Sequence, residues 1–475
     1  MKIKQNQSQI IGYLEDASNF KGGKAFSVYI PENENEVLDV LKYCVKNKIP
    51  LTISAAGTGT VAGRIPLDGV VLSTEALNKI IKIDKQNKQA TLQAGVIVEE
   101  FLKEIERYNL FYPPFPTERT AFIGGNVATN ASGEYSFRFG ATRNYINRIK
   151  MFLTTGDILE IRRGEIFERN GFIDFGIFKV KIPSYRTPDV KCSAGYYIKD
   201  GMDAIDLIIG SEGTLGVITE VDVSLIDKLP ERFIIIVFFK KDTDIPLIVK
   251  EIKNKKEQLG VYSLEFFDES SLNFLKEEYN FIPENTNALY IEAEKEKLEK
   301  LVELIETFRY VSTVVSESLS EYKKLIDFRH KLPENINSYF RKIGSIKVAV
   351  DAAVPDDKFE ELFLYYQKII SENSSLKMVL FGHIGESHLH FNMFPDNEEK
   401  KQLAERIYIE SIKKAVSLGG TGFAEHGIGK LKTKYLKFMY TEQQIKEMAQ
   451  IKKTFDPYWI LSLDNLFPKN IIESI

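Results

Sequence analysis

Hydrophobic positions in the first half of the chain alternate between helical and strand-like spacing. Apolar residues recur every three or four positions over residues 37–45, directly after residues 33–35, whose asparagine side chains can cap the first amides of a helix. Pro50 ends that pattern before a strand at residues 51–54. Further short strands are predicted at residues 70–72, 79–83 and 90–93, and a helix at residues 99–108. The spacing predicts mixed α/β structure rather than regular βαβ units.

A second pattern begins near Pro230. The unbroken apolar run at residues 233–239 is closed by Lys240 and Lys241. Because a bilayer needs about 20 apolar residues, this run predicts a buried strand and no membrane span. Strands are also predicted at residues 262–267 and 289–292, and helices at residues 243–259, 298–305 and 398–418. Such blocks predict an α+β second domain with an antiparallel sheet.

Composition narrows the function classes. A chain of 475 residues exceeds what one core usually holds, so at least two domains are expected. The 63 Lys+Arg nearly balance the 67 Asp+Glu, which gives no long-range field for nucleic acid or an anionic membrane. Only two cysteines are present, Cys44 and Cys192, and the polar amino terminus lacks a signal-peptide apolar region. We therefore expect a reducing, cytoplasmic location.

Glycine-rich runs provide the first candidate chemistry. Residues 55–63 read AAGTGTVAG and follow a predicted strand, where glycines let backbone amides approach a phosphate. The GxGxxxG spacing is one residue too long for the Rossmann fingerprint and no helix follows, which disfavours an NAD site. Three more runs of small residues occur at residues 123–133, 139–143 and 209–219.

In this order and spacing, the four runs resemble the FAD-binding domain of the vanillyl-alcohol oxidase / p-cresol methylhydroxylase (PCMH) superfamily. Nearly the whole chain resembles its D-2-hydroxyacid dehydrogenase branch, which includes the glycolate oxidase flavoprotein subunit, D-lactate dehydrogenase and D-2-hydroxyglutarate dehydrogenase. The implied fold is α+β. A PCMH-type FAD-binding domain would span residues 1–228, a cap domain with the substrate and metal site residues 229–424, and a segment returning to the FAD domain residues 425–475.

The resemblance implies a set of FAD contacts along one crevice. These are Ala55, Ala56, Gly57, Thr58, Gly59, Thr60 and Gly63 in the pyrophosphate loop, Pro114, Thr117, Gly124, Gly125, Asn130 and Ser132 along the cofactor, and Gly213, Thr214 and Ile218 near the adenine and ribose. The chain departs from the family at Phe115, usually acidic, and at Phe122, usually threonine. The first histidine is His330, so the FAD is expected to be held without a covalent bond.

Four of the five histidines lie in two short segments, GHIGESHLHFN at residues 382–392 and AEHGIG at residues 424–429. Imidazoles and a carboxylate form a donor set suited to Zn²⁺, Mn²⁺ or Fe²⁺. On an extended segment His388, His390 and Asn392 would point the same way. The clustering favours a metal site over isolated histidines.

The resemblance assigns roles within these segments. His383, His390 and Glu425 match divalent-metal ligands, Asn392 a substrate contact and His426 the catalytic base. We expect Zn²⁺, with Mn²⁺ or Fe²⁺ as alternatives.

The usual pattern GHxGDGNLH reads GHIGESHLH here, so Glu386, Ser387 and His388 replace Asp, Gly and Asn. His388 is then a fourth ligand, a group that orients a ligand, or a neutral replacement, and we favour the second role.

Arg329 is the candidate for the substrate carboxylate, because a guanidinium binds a carboxylate through two parallel hydrogen bonds. In the family this arginine follows a tryptophan that is missing here, and the alternative is a surface arginine on an amphipathic helix. A substrate-contacting lysine of the hydroxyglutarate enzymes would fall at Ala349. Its loss favours a substrate with one carboxylate, although Lys347 could supply the missing charge.

Together these features predict an FAD- and metal-dependent dehydrogenase that oxidises a D-2-hydroxyacid, D-lactate-like or glycolate, to the 2-oxoacid by hydride transfer to flavin N5. No iron–sulfur cysteine motif is present, so electrons would pass to an external electron-transfer flavoprotein, quinone, iron–sulfur subunit or oxygen. The alternatives are a non-redox flavoenzyme like the alkyl-glycerone-phosphate synthases and a flavin subunit that relays electrons. The oligomeric state is open, a homodimer included.

Overall fold

The computed structural model describes residues 1–344 and 347–474. The strands of its first part are β1 Lys2–Lys4, β2 Ser27–Ile30, β3 Leu51–Ser54, β4 Val70–Ser73, β5 Ile80–Asp84, β6 Gln89–Gln93, β7 Leu110–Phe111, β8 Ile146–Phe152, β9 Ile158–Arg162, β10 Phe172–Asp174, β11 Lys179–Lys181, β12 Val217–Ser224 and β13 Ile226–Asp227. Its α-helices are α1 Gln7–Ile10, α2 Glu34–Asn47, α3 Val98–Glu106, α4 Ile123–Thr129, α5 Ser136–Phe139 and α6 Ile205–Ile208.

The second part carries longer elements. Its strands are β14 Arg232–Lys240, β15 Val261–Phe267, β16 Thr286–Glu294, β17 Ser312–Val315, β18 Val348–Ala353, β19 Lys377–Gly382 and β20 His388–Phe394. Its α-helices are α7 Ile245–Asn254, α8 Lys256–Leu259, α9 Glu269–Leu272, α10 Leu298–Glu306, α11 Leu319–Ile343, α12 Phe359–Glu372, α13 Glu398–Ser417 and α14 Glu442–Phe455.

Two larger sheets and two two-stranded sheets, β10-β11 and β13-β7, lie in the first part. One larger sheet has the order β1-β2-β4-β3, in which β4 pairs in parallel with both β2 and β3. Helix α2 connects β2 to β3, and the Asn33 side chain caps it by accepting a hydrogen bond from the Glu36 amide, as the sequence predicts. The other larger sheet has the order β5-β6-β12-β8-β9 and is antiparallel throughout.

A seven-stranded sheet with the order β17-β14-β16-β15-β19-β20-β18 forms the centre of the second part. All of its pairings are antiparallel, which confirms the predicted antiparallel sheet. The predicted apolar strand is β14, and it is buried from Phe233 to Phe239. On one face of the sheet, Leu325, Phe328 and Leu332 of α11 pack into a separate core.

The last residues of the chain contact the first part. The Leu51 amide donates to Ile460 O, and the Ser462 amide donates to Leu51 O, which extends the edge at β3. Ile460 and Leu461 are buried in the core beneath α2. The boundaries at residues 228 and 424 stay predictions.

Several element predictions need correction. The helix predicted at residues 243–259 is two helices, α7 and α8, separated at Lys255. Neither the strand β2 nor the 25-residue helix α11 is among the elements predicted from the hydrophobic pattern. Within residues 1–344 and 347–474, no helix has both the length and the apolar character that crossing a bilayer requires.

Candidate active site

A crevice of about 980 Å³ opens in the first part of the molecule, between the loop after β3, helix α4 and the turn that leads into β12. Many of the predicted FAD contacts line it: Ala55, Ala56, Gly57, Thr58, Gly59, Gly63, Gly124, Gly125, Gly213 and Ile218.

The crevice fits a dinucleotide in its backbone geometry. Gly57 and Gly213 have φ of +86° and +73°, a region that favours glycine. A Cβ at Gly125 would lie 2.9 Å from the Ala55 Cβ, so only glycine lets α4 approach the β3 loop this closely. The Asn126 Nδ2 is buried beside the same crevice, and no described residue forms a hydrogen bond with it. A polar ligand such as FAD would supply that partner.

The remaining predicted FAD contacts lie outside the crevice lining: Thr60, Pro114, Thr117, Asn130, Ser132 and Thr214. Thr214 is fully buried, and its hydroxyl donates to Ser211 O at 2.6 Å. Asn130 ends α4 in a left-handed conformation, and its Oδ1 accepts from the Arg143 amide at 3.0 Å. The observed contacts of these two residues support the local fold.

Other residues in and beside the crevice are not predicted from the sequence to belong to the site. Glu212 accepts hydrogen bonds from the amides of Ile428 at 2.8 Å and Gly429 at 2.7 Å. The Lys430 Nζ donates to Gly63 O at 3.1 Å and to Asn465 Oδ1 at 2.7 Å. These bonds fix the segment that follows His426 against the crevice wall.

The histidine-rich segments meet at the edge of the seven-stranded sheet. His383 follows β19, and His388, His390 and Asn392 lie on β20. The turn between them contains Ser387 at φ +52°. The strand pairing aligns Asp351 of β18 with His390, so a carboxylate lies directly beside the histidine row.

Asp351 is the centre of one group of polar contacts. Its Oδ1 lies 2.8 Å from His388 Nε2 and 4.0 Å from His390 Nδ1. Its Oδ2 lies 2.9 Å from His426 Nδ1 and 3.6 Å from Lys432 Nζ. Burial alone would raise the pKa of this carboxyl, but His426 and Lys432 hold it well below its usual range. Asp351 is therefore ionised and can orient two histidines.

Glu265 of β15 is the centre of a second group. Its Oε1 accepts from Arg329 Nη2 at 2.8 Å and Nε at 3.2 Å, and it lies 3.0 Å from His383 Nδ1. Burial alone would raise the pKa of Glu265, yet Arg329 and His383 lower it. Burial would lower the pKa of His383, but Glu265 raises it to about 9. The pair thus stabilises the ring orientation of His383.

Glu425 brings the two groups together. Its Oε2 lies 3.2 Å from His383 Nε2 and 3.8 Å from His388 Nδ1. Lys191, from the first part of the chain, has a side chain that is only 8% exposed, and its Nζ lies 3.2 Å from the same oxygen. The structure thus joins two of the predicted metal ligands, His383 and Glu425, and adds His388 to them. The third, His390, groups instead with Asp351 and His426.

Two residues predicted to contact substrate have unused polar atoms. Asn392 is buried, and in the part of the chain that the structure describes neither its Oδ1 nor its Nδ2 has a hydrogen-bond partner. Arg329 lies on α11 with its side chain 11% exposed, and its Nη1 has no hydrogen bond in the described residues. It is therefore not a surface arginine. Only two of its five N–H groups bond Glu265, so the N–H groups of Nη1 and the second N–H of Nη2 are left for a substrate carboxylate.

His426 connects the crevice to the histidine groups. Its side chain is 35% exposed and lines the crevice, while its Nδ1 contacts Asp351. No described residue bonds its Nε2. One imidazole thus lies between the flavin crevice and the donor set of the cap.

Comparison with known proteins decides the family. Residues 27–162 match the FAD binding domain, and residues 231–465 match the C-terminal domain of FAD linked oxidases. A D-lactate dehydrogenase from Anaerostipes hadrus is 30% identical over 448 residues, which cover 90% of this chain and 86% of that protein. The chain belongs to the FAD-linked oxidase family. It is an FAD-linked oxidoreductase of the D-2-hydroxyacid dehydrogenase type.

Other members of the family are similar over nearly their whole length. The glycolate oxidase subunit GlcD of Bacillus subtilis is 28% identical over 469 residues, 96% of this chain and 92% of that protein. A D-2-hydroxyglutarate dehydrogenase of Stutzerimonas stutzeri is 25% identical over 487 residues, 98% of this chain and 96% of that protein.

Solved structures confirm the fold. p-Cresol methylhydroxylase superposes with a TM-score of 0.70 at 15% identity, covering 98% of this chain and 94% of that one. An alkyldihydroxyacetonephosphate synthase reaches 0.68 at 15% identity, with 97% and 82% covered. At this identity the likeness concerns the fold alone, and it confirms the predicted PCMH-type α+β architecture.

Three residues of the site are not predicted from the sequence: Asp351, Glu265 and Lys191. The two acids are isolated charges within apolar strands, VAVDAA and VYSLEFF. A charge in such a strand must be paired, because its burial is otherwise costly. That signal could have identified both acids as members of a polar site in this family member. Lys191 lies outside helices and strands and offers no comparable pattern.

Proposed function

We propose that this protein is an FAD- and metal-dependent dehydrogenase that oxidises a D-2-hydroxyacid with one carboxylate, D-lactate-like or glycolate, to the 2-oxoacid. The position of His426 carries the proposal, since this side chain lines the flavin crevice and contacts the acid that also orients the cap histidines. Relatives named D-lactate dehydrogenase and glycolate oxidase subunit support the substrate class.

His426 is the proposed base. With Asp351 Oδ2 2.9 Å from Nδ1, the ring keeps its proton there and leaves the lone pair on Nε2. That nitrogen can take the proton of the substrate hydroxyl. When bound, the FAD supplies the acceptor for the α-hydrogen as hydride, and the metal supplies a Lewis acid.

The donor set fits a divalent metal. Two carboxylates, Glu265 and Asp351, contact the outer ring nitrogens of His383 and His388, which is the usual arrangement behind metal-binding histidines. We propose that His383 and Glu425 hold the metal with a histidine of β20, where the resemblance assigns His390. Nitrogen and carboxylate donors together suit Zn²⁺.

Arg329 and Asn392 are the proposed substrate contacts. Arg329 bonds Glu265 through Nε and Nη2 only, and the side-chain amide of Asn392 has no partner among the described residues. A substrate carboxylate and hydroxyl would supply partners for both groups. Ala349 pairs with Asn392 across the strands and offers no charge for a second carboxylate. Lys347 is exposed and precedes β18.

Electrons would leave the FAD for an external electron-transfer flavoprotein, quinone, iron–sulfur subunit or oxygen, because Cys44 and Cys192 are the chain's only cysteines. The cytoplasmic location and the homodimer stay predictions.

The test is anaerobic bleaching of the flavin by D-lactate, glycolate, D-2-hydroxyglutarate and L-lactate. A stranded second carboxylate costs several kcal/mol, so we expect kcat/KM for D-lactate to exceed that for D-2-hydroxyglutarate by about 100-fold, and L-lactate to fail. A preference for D-2-hydroxyglutarate that Lys347→Ala removes would contradict the assigned pocket. A flavin that no 2-hydroxyacid bleaches would favour the non-redox or relay alternatives.

A further inference from the structure

We propose that His388 is a ligand of the metal through its Nδ1, a role that the family pattern gives to no residue at this position. The proposal rests on the metal site of the proposed function, but it concerns which atom binds. Its test needs neither substrate nor turnover.

The ring of His388 is held in one orientation. Its Nε2 lies 2.8 Å from Asp351 Oδ1, and both side chains are almost wholly buried. Because the Asp351 carboxylate can only accept a hydrogen bond, the ring proton is on Nε2 and the lone pair is on Nδ1. A carboxylate on the outer nitrogen is the common support of a metal-binding histidine.

The second ring nitrogen of His388, Nδ1, is the atom that would bind the metal. His388 Nδ1 is buried and has no hydrogen-bond partner among residues 1–344 and 347–474. Glu425 Oε2 lies 3.8 Å away, beyond hydrogen-bond distance, so it does not satisfy that lone pair. Buried polar atoms are nearly always satisfied, and an orphan of this kind calls for an unseen partner. A cation is the partner that a lone pair and a carboxylate can share.

The three donor atoms are also close enough for one ion. His388 Nδ1, His383 Nε2 and a Glu425 oxygen lie within 4.8 Å of one another. Ligands at about 2.0–2.2 Å from zinc are separated by roughly 3–4 Å, so small side-chain shifts suffice.

His383 is held in the same way as His388, with a carboxylate on one ring nitrogen and Glu425 near the other. Its Nδ1 is bound to Glu265 at 3.0 Å, and its Nε2 lies 3.2 Å from Glu425 Oε2. His390 lacks that support, because its nearest carboxylate oxygen, on Asp351, lies 4.0 Å from Nδ1. Of the two β20 histidines, His388 is thus the better-supported ligand.

The competing possibility is that Lys191 neutralises Glu425 and no metal binds. Lys191 Nζ lies 3.2 Å from both Glu425 Oε2 and Glu386 Oε2. This ion pair leaves His388 Nδ1 without a partner, however, so it does not explain the orphan nitrogen.

The experiment uses the full-length, FAD-bound protein loaded with Zn²⁺. Zinc affinity is measured by chelator competition, and the imidazoles on zinc are counted by X-ray absorption, for the wild type, His388→Asn and Ser387→Gly. Ser387→Gly is the matched control, because it changes the neighbouring residue at φ +52° without touching the ring. We expect His388→Asn to lose one imidazole and to weaken zinc binding by about 100-fold or more, while the control stays within about threefold.

An unchanged imidazole count in His388→Asn would overturn the proposal, even if affinity fell, because His388 would then only orient a ligand. Failure of the wild type to bind zinc would overturn it in favour of the Lys191 ion pair. The flavin spectrum checks folding of each variant. If His388→Asn does not fold, anomalous density in zinc-soaked wild-type crystals decides: zinc at about 2.0–2.1 Å from Nδ1 supports the proposal, and zinc elsewhere refutes it.

Discussion

Replacing Asp351 with Asn should separate catalysis from flavin binding. Asp351 lies outside the crevice lining, so the variant should keep its FAD. Asn has one acceptor oxygen, whereas Asp351 uses Oδ1 for His388 and Oδ2 for His426 and the amides of Glu425 and His426. At least one imidazole must therefore lose its acceptor and the tautomer that this acceptor fixes.

The size of the effect follows from the two roles. A positioned base contributes about 10²–10⁴-fold, and an outer contact of a metal ligand about 10–100-fold. Since both losses act through the same carboxylate, we expect flavin reduction to slow by about 10²–10⁴-fold, equivalent to about 2.7–5.4 kcal/mol of activation free energy. Stopped-flow reduction by D-lactate under anaerobic conditions measures this rate directly.

Glu292→Gln is the matched control. Glu292 is also buried and accepts from Tyr135, Tyr322 and Arg232, at 2.9, 2.6 and 2.8 Å. Each hydrogen bond to a charged group contributes about 1.5–3 kcal/mol, so both variants should be less stable. Only Asp351→Asn should be slow once folded. A folded, zinc-loaded Asp351→Asn protein that reduces its flavin within about threefold of the wild-type rate would refute the role assigned to Asp351.

Three further predictions concern the cofactors and pH. Acid or heat precipitation should release the FAD into the supernatant, and yellow colour that stays in the pellet would show a covalent bond. Chelation should abolish reduction by substrate while the flavin spectrum persists, because His383 and Glu425 lie outside the crevice lining; full activity without metal would exclude them from the reaction. Because the pKa values of Asp351 and Glu265 are lower in the folded protein, their stabilisation is present above pH 4–5 and is lost as pH falls. Denaturant unfolding of the metal-free protein at pH 7, 5, 4 and 3 should show this loss, most of it below pH 4, and a smaller loss for Glu265→Gln. An equal fall in the free energy of unfolding for both proteins would contradict the prediction.

The sequence predicts the elements whose hydrophobic pattern is unambiguous. The apolar run of β14 and the capped helix α2 appear where expected, because burial and capping are local signals. Helix α11 is not predicted, because Pro333 interrupts its sequence pattern, although the helix continues through this proline. Tertiary packing of Phe328 and Leu332 overrides that local signal.

The candidate site also contains some residues that the sequence predicts and others that it does not. Histidines, glycines and Glu425 stand in short motifs that the sequence reveals. Glu265 and Asp351 are 86 positions apart, and only the pairing of β15 and β18 through β19 and β20 brings them to one cluster. The role of His388 likewise depends on which of its nitrogens faces Asp351, and a linear sequence does not contain that information.

Anaerobic titration of the FAD-bound, zinc-loaded protein with D-lactate tests the proposed chemistry most directly. We expect one equivalent of D-lactate to bleach one equivalent of flavin and to yield one equivalent of pyruvate, and substitution of deuterium for the α-hydrogen to slow bleaching. Oxidised flavin that persists in the presence of D-lactate, glycolate and other D-2-hydroxyacids, with no 2-oxoacid formed, would contradict the assignment.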